Sequence, residues 1–120
     1  MKKYTLVLGA SLNTERYSNK AIHALVNHNI HTEAIGLKEG EVSGVQIKID
    51  LSTYLDIDTI TLYLNPKRQK DYYTYIIALK PKRVIFNPGT ENKALMVLLD
   101  KNKIMYEEAC TLTLLATAQY

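Results

Sequence analysis

Apolar and polar positions follow two periods along this chain, and the switch between them falls repeatedly at a glycine or a proline. Tyr4, Thr5, Leu6, Val7 and Leu8 form a nearly unbroken apolar run that stops at Gly9, the pattern of a strand buried on both faces of a parallel sheet. A polar loop follows. Ala21, Ile22, Leu25 and Val26 then recur at helical spacing and predict a helix over residues 19–28, with Ser18 as its N-cap. Thr32 to Gly36 returns as a second strand. A strand, a helix and a strand joined this way make a right-handed crossover with the two strands parallel.

The alternation continues to the end of the chain. Residues 37–50 read as a small excursion from the core, with turns at Glu39-Gly40-Glu41 and Ser43-Gly44 and a short exposed strand at Val45 to Ile49. Residues 51–58 read as a helical or irregular link. Residues 59–64 are a β-branched strand closed by Asn65-Pro66. Tyr72, Tyr75, Ile76 and Leu79 fall at i, i+3, i+4 and i+7 and predict an amphipathic helix over residues 67–79, stopped by Pro81. Arg83, Val84, Ile85 and Phe86 form the next strand, residues 91–101 the next helix, residues 104–107 the last strand, and a short terminal helix begins after Cys110. The prediction is an α/β fold with a doubly wound parallel sheet of about five strands in the order 3-2-1-4-5, helices on both faces, and one domain over residues 1–120.

Composition narrows the classes of function. With 47% hydrophobic and 22% charged residues the chain has an ordinary globular balance. No apolar run approaches the roughly 18 residues of a membrane span, and the start runs into the first strand without a signal-peptide apolar region, so a cytoplasmic protein is expected. The lone Cys110 cannot form an internal disulfide. A net charge of +3, spread over several segments, lacks the clustered footprint of a nucleic-acid binder. His23, His28 and His31 do not share a helix face and have no second cysteine beside them, so no metal site is expected. The carboxylate pairs Glu107-Glu108 and Asp56-Asp58 read as exposed acids, and no nucleophile with a base beside it stands out. Nine tyrosines against one phenylalanine fit half-buried packing, with self-association as the alternative.

Chemistry concentrates in the loops at the carboxyl ends of the strands, the rim where open α/β sheets bind ligands. Gly9, Ala10, Ser11, Asn13, Arg16 and Ser18 lie in or beside the first loop, and Gly36 and Lys38 in the second. Leu64, Asn65 and Pro66 form the third, and Asn87, Pro88, Gly89 and Thr90 the fourth. Backbone N–H groups, hydroxyls and a helix N-terminus in the first loop suit an anion, and Arg16, Lys38, Lys67 and Arg68 supply charge. The dinucleotide fingerprint is broken, because Ser11 and Thr14 stand where two of its three glycines belong. The acid that would hold a ribose 2′-OH is also missing, and Lys38 suits a phosphorylated ribose better. Arg16 has a plainer reading as a surface arginine pairing with Glu15 or Glu91, and Lys38 as a solvated loop lysine.

The run Val7-Leu8-Gly9-Ala10-Ser11-Leu12-Asn13 with Arg16, Tyr17 and Ser18 carries a resemblance, together with Ala34-Ile35-Gly36 and Thr61-Leu62-Tyr63-Leu64-Asn65-Pro66. Pro81 through Glu91 and Glu108-Ala109-Cys110-Thr111-Leu112 extend it. In these the chain resembles the small stand-alone CoA-binding domain family and is similar to the N-terminal CoA-binding domain of the succinyl-CoA synthetase α subunit. The resemblance implies a Rossmann-like fold whose first loop holds CoA phosphates through Gly9, Ala10, Ser11 and Arg16. It further implies Lys38 near the adenosine 3′-phosphate, with Leu64-Asn65-Pro66 and Pro88-Gly89-Thr90 along the pantetheine path. In the synthetase a second domain carries a phosphorylated histidine, and the sequence ends before such a domain, so a complete ligase is not expected. Non-covalent binding of CoA or acyl-CoA, as a carrier, sensor or subunit, is the leading expectation. An NADP-type enzyme or subunit and a protein–protein module with a vestigial cleft are the alternatives. Cys110 is open to two readings, a small buried side chain or a thiol that forms a mixed disulfide with CoA.

Overall fold

The computed structural model describes residues 4–120. Its strands are β1 (Tyr4–Ala10), β2 (Thr32–Gly36), β3 (Gly40–Val42), β4 (Val45–Lys48), β5 (Ile57–Leu62), β6 (Arg83–Phe86) and β7 (Met105–Glu108). The helices are α1 (Tyr17–Asn27), α2 (Pro66–Gln69), α3 (Tyr73–Leu79), α4 (Lys93–Lys101) and α5 (Thr111–Ala116), with a 3-10 turn, Lys70–Tyr72, between α2 and α3. One sheet contains all seven strands in the order β3-β4-β2-β1-β5-β6-β7, parallel except for β3, which pairs antiparallel with β4. This is a Rossmann-like α/β fold, with the expected helices on both faces.

The expected strand count and order need correcting. Seven strands stand where about five were predicted, and the sheet is mixed. The five strands read from the sequence lie in the order 2-1-3-4-5, not 3-2-1-4-5, because β5 pairs with β1 and not with β2. The place beside β2 belongs to β4, in the segment read as an excursion. Val42, Val45 and Ile47 are buried there, so the β3–β4 hairpin extends the core although it contributes only alternate apolar positions.

Two apolar layers sandwich the sheet. Leu6, Leu8, Leu62 and Phe86 face Ile76 and Leu79 of α3 and Leu95 and Leu99 of α4. On the other face Val7, Ala34 and Ile47 meet Ile22 and Leu25 of α1 and Leu115 of α5. The second face is partly polar under α5. Thr61 and Thr111 join hydroxyls at 2.8 Å, and Asn87 donates from Nδ2 to Thr61 Oγ1 at 2.6 Å and to the Leu62 carbonyl at 2.9 Å. The Thr111 N–H donates to Asn87 Oδ1 at 2.9 Å, so the start of α5 hangs from β6 by one buried amide.

Helix boundaries shift for local reasons. Arg16 is the N-cap of α1, without a side-chain hydrogen bond, and Ser18 lies buried in the first turn. The helix predicted over 67–79 divides at the 3-10 turn into α2 and α3. Asn65 caps α2 by accepting the Arg68 N–H at 2.9 Å, and Pro66 takes the first helical position, where its missing donor costs nothing. Residues 51–56 contain no helix. Among the described residues no helix is long and apolar enough to cross a membrane.

Candidate functional site

The loops after β1, β2, β5 and β6 meet at the carboxyl rim around a cleft of about 1010 Å³, at the upper end of the roughly 300–1,000 Å³ typical of small-molecule sites. Thirteen of the fifteen residues expected at a site line it: Gly9, Ala10, Ser11, Asn13, Arg16, Ser18, Gly36, Lys38, Leu64, Asn65, Pro88, Gly89 and Thr90. Pro66 and Asn87 stand outside the lining. Pro66 opens α2, and Asn87 is 2% exposed with its amide committed to Thr61, Leu62 and Thr111.

Two glycines set the depth of the cleft. Gly9 has φ +99°, and a Cβ there would come 2.9 Å from the Tyr63 carbonyl carbon, so only glycine lets the chain turn away at this point. At Gly36 the reason is contact and not conformation: an added Cβ would lie 2.3 Å from the Ala10 carbonyl oxygen. The ends of β1 and β2 thus close to a separation that no side chain permits.

The first loop is shaped by its own polar groups. Ser11 Oγ accepts the Asn13 N–H at 3.1 Å, Asn13 Oδ1 accepts the Glu15 N–H at 2.9 Å, and the Arg16 N–H donates to the Asn13 carbonyl at 3.0 Å. Asn19, buried in α1, donates from Nδ2 to the Ser11 carbonyl at 2.9 Å and ties the loop to the helix. Accepting one bond leaves the Ser11 hydroxyl hydrogen free to donate. On the far side, Thr90 donates its hydroxyl to the Asn87 carbonyl at 2.7 Å, and the Gly89 N–H donates to Glu91 Oε1 at 2.9 Å.

Arg16, Lys38 and Arg68 bring positive charge to the lining and are all exposed. Among the described residues Arg83 pairs with Glu107, and the other contact of a basic with an acidic side chain joins the His31 ring to Glu33, so Arg16 pairs with neither Glu15 nor Glu91. Lys67 and Thr14 lie outside the lining. Burial pushes the Tyr63 phenol up to about 12, against a downward pull from the hydroxyls of Thr111 and Thr61, and its ring packs on the α1 and α5 face of the sheet.

Further lining residues escaped the sequence reading of the site. Leu12, Tyr17 and Leu37 are 43%, 66% and 60% exposed, an apolar lip beside Arg16 and Lys38 of the kind that marks binding surfaces. Lys20 Nζ sits 5.2 Å over the Tyr17 ring, and an added Cβ at Gly40 would fall 2.6 Å from the side chain of Leu12, which therefore rests on the β3–β4 hairpin. Tyr72, read as a core residue of a helix, also lines the cleft. A large apolar residue next to a polar loop was the available signal, but it does not distinguish a lip from a core anchor.

Comparison with known proteins agrees with the fold. A crystal structure of an uncharacterised protein superposes with TM-score 0.96 at 43% identity, covering 100% of this chain and 99% of that one. A hypothetical protein from Pyrococcus horikoshii OT3 gives TM-score 0.80 at 27% identity, covering 92% of this chain and 78% of that one. A Thermus thermophilus protein gives TM-score 0.84 at 18% identity, covering 99% and 91%, a likeness of fold. No curated protein matches the sequence. The family profile described as CoA binding domain matches residues 3–116, nearly the whole chain, and the protein belongs to that CoA-binding domain family.

Proposed function

We propose that the cleft binds coenzyme A or an acyl-CoA non-covalently and that the chain acts as a carrier, a sensor or a subunit whose partner supplies the chemistry. The observation that carries this reading is the order of groups along the rim. Following the sheet from β2 through β1 and β5 to β6, the lining passes from Lys38 to Ser11 and Arg16, then to Asn65 and Arg68, then to Pro88, Gly89 and Thr90. CoA carries its groups in the same sequence: a 3′-phosphorylated ribose, a pyrophosphate, and a neutral pantetheine arm. Charge-assisted contacts to exposed cations serve the first two. Small, largely neutral loops admit the third, and the apolar lip of Leu12, Tyr17 and Leu37 gives the adenine a surface. A reducing, cytoplasmic setting suits both the lone Cys110 and a free ligand thiol.

Calorimetric titration tests the reading. CoA is expected to bind, and dephospho-CoA about tenfold more weakly, the effect of losing one charge-assisted contact worth about 1.5 kcal/mol. No heat with CoA defeats the reading, and equal affinities remove the role given to Lys38. The placement of Lys38 after β2 also favours a second reading, a 2′-phosphorylated dinucleotide as ligand, which requires NADPH to bind more tightly than CoA. A folded chain that binds neither and forms a specific protein complex belongs to the third class, an interaction module.

Cys110 stands at the N-cap of α5, half-buried and outside the cleft lining. Burial acts upward on its thiol, but hydrogen bonds from Thr113 and from the backbone of Leu112 outweigh it and hold the thiol below its ordinary value. Its thiolate fraction near pH 7 is therefore raised, and alkylation by iodoacetamide should run faster than for an unperturbed cysteine. Cys110→Ser is expected to leave CoA affinity within about twofold. Incubation with oxidised CoA followed by mass spectrometry tests the mixed disulfide, which the absence of an adduct on Cys110 excludes.

A further inference from the structure

We infer that Gln69 is a positioning residue that holds the β5 and β6 loops at the separation the pantetheine half of the ligand requires. The inference rests on the CoA reading and adds to it a division of labour between the two halves of the cleft.

Main-chain pairing between β5 and β6 ends at Leu62 and Phe86. The next tie is the Asn87 amide on the Leu62 carbonyl. The Tyr63 N–H still reaches the Leu8 carbonyl of β1 at 2.9 Å, but beyond Leu62 and Phe86 no main-chain bond joins the two loops to each other among the described residues, although both line the cleft through Leu64 and Thr90. Gln69, 0% exposed in α2, spans this gap. Its Nε2 donates to the Leu64 carbonyl at 2.8 Å and to the Thr90 carbonyl at 2.8 Å, so a single side-chain amide acts as one more rung after the last backbone rung.

The orientation of that amide is set by its partners. Asn92 Nδ2 donates to Gln69 Oε1 at 2.9 Å and to the Tyr73 hydroxyl at 2.8 Å. Asn92 Oδ1 meanwhile caps α4 by accepting the Ala94 N–H at 3.1 Å and the Leu95 N–H at 3.4 Å. Reversing the Gln69 amide would set its oxygen against two carbonyl oxygens and its NH₂ against that of Asn92. Both donors and the acceptor are used, all in a buried place, and each loop can move only by breaking one of these bonds. The side of the cleft formed by Lys38, Ser11 and Arg16 has its own fastenings, the Asn19 amide on the Ser11 carbonyl and the close approach of Gly36 to Ala10, and neither involves Gln69.

A split between two ligands separates positioning from general support. Isothermal titration would compare the unaltered chain and Gln69→Leu, each checked for folding by circular dichroism, with CoA and with adenosine 3′,5′-bisphosphate, which lacks the pantetheine arm. The expected result is a loss of at least about tenfold in CoA affinity with the bisphosphate affinity held within about twofold. Unchanged CoA affinity, or equal weakening of both ligands in a folded variant, overturns the inference, as does an unaltered chain that binds CoA and not the bisphosphate. If Gln69→Leu does not fold, Asn92→Asp keeps the α4 cap and removes the donor to Gln69. The same split is expected from it, and its absence overturns the inference. An unaltered chain that fails to bind CoA overturns the functional reading and the inference together, and is thereby told apart from failure of the inference alone.

Discussion

Gly36→Ala is expected to lower the stability of the protein by about 3 kcal/mol, the upper part of the usual range for forcing an extra carbon into a packed site. The carbon would meet the Ala10 carbonyl oxygen at 2.3 Å and the side chain of Ile47 at 3.1 Å. A long side chain could swing away, but the nearest atom belongs to the backbone of β1, where Ala10 and Gly36 form the last register pair. Relief requires the ends of β1 and β2 to part, and that movement opens the floor of the cleft. The variant should therefore show an earlier midpoint in urea unfolding, with a loss of CoA affinity greater than about tenfold measured where the protein is still folded. A midpoint shift equivalent to less than about 0.5 kcal/mol, the range of ordinary surface substitutions, would show that the strand ends yield without cost.

The second large effect is expected at Asn87. Leucine at this position preserves bulk but strips the Thr111 N–H and the Leu62 carbonyl of their partner and removes one from the Thr61 hydroxyl, all in buried surroundings. Each buried polar group left unpaired costs roughly 1–3 kcal/mol. Thr61 retains its bond to Thr111, and part of the remainder relaxes. The net loss should be about 4 kcal/mol, read from chemical denaturation. The same variant decides between two roles for the residue. A stable fold with weakened CoA binding would make Asn87 a direct contact, whereas a large stability loss identifies it as the hanger of α5.

How far the sequence could be read depended on how many faces of each element are buried. β1 and β6 are covered on both sides and appear as continuous apolar runs, so their places were legible. β4 offers only Val45 and Ile47 to the core, with Gln46 and Lys48 exposed between them, and such a short alternation looks the same at the edge of a sheet as in a surface hairpin. Order along the chain does not say which strand lies beside which. That β5 pairs with β1 and leaves β4 beside β2 follows from tertiary packing, and the expected strand order missed it.

The rim loops were legible because glycine, proline and short polar residues recur after each of the four strands that end there. Their internal wiring was not. Gly9 is needed for its positive φ, which a turn glycine announces, whereas Gly36 is needed for a contact with a residue 26 positions earlier, which no local pattern reveals. Asn87 and Gln69 look in the sequence like any polar residue near a turn. Only burial distinguishes an amide that fastens backbone to backbone from one that faces a ligand.

The contact of Leu12 with Gly40 gives the outermost hairpin a part in events at the mouth of the cleft. Leu12 lies over bare backbone at Gly40, a seat that any side chain there would take away. The first rim loop and the border strand of the sheet are thus joined by direct packing, although the two lie nearly thirty residues apart along the chain.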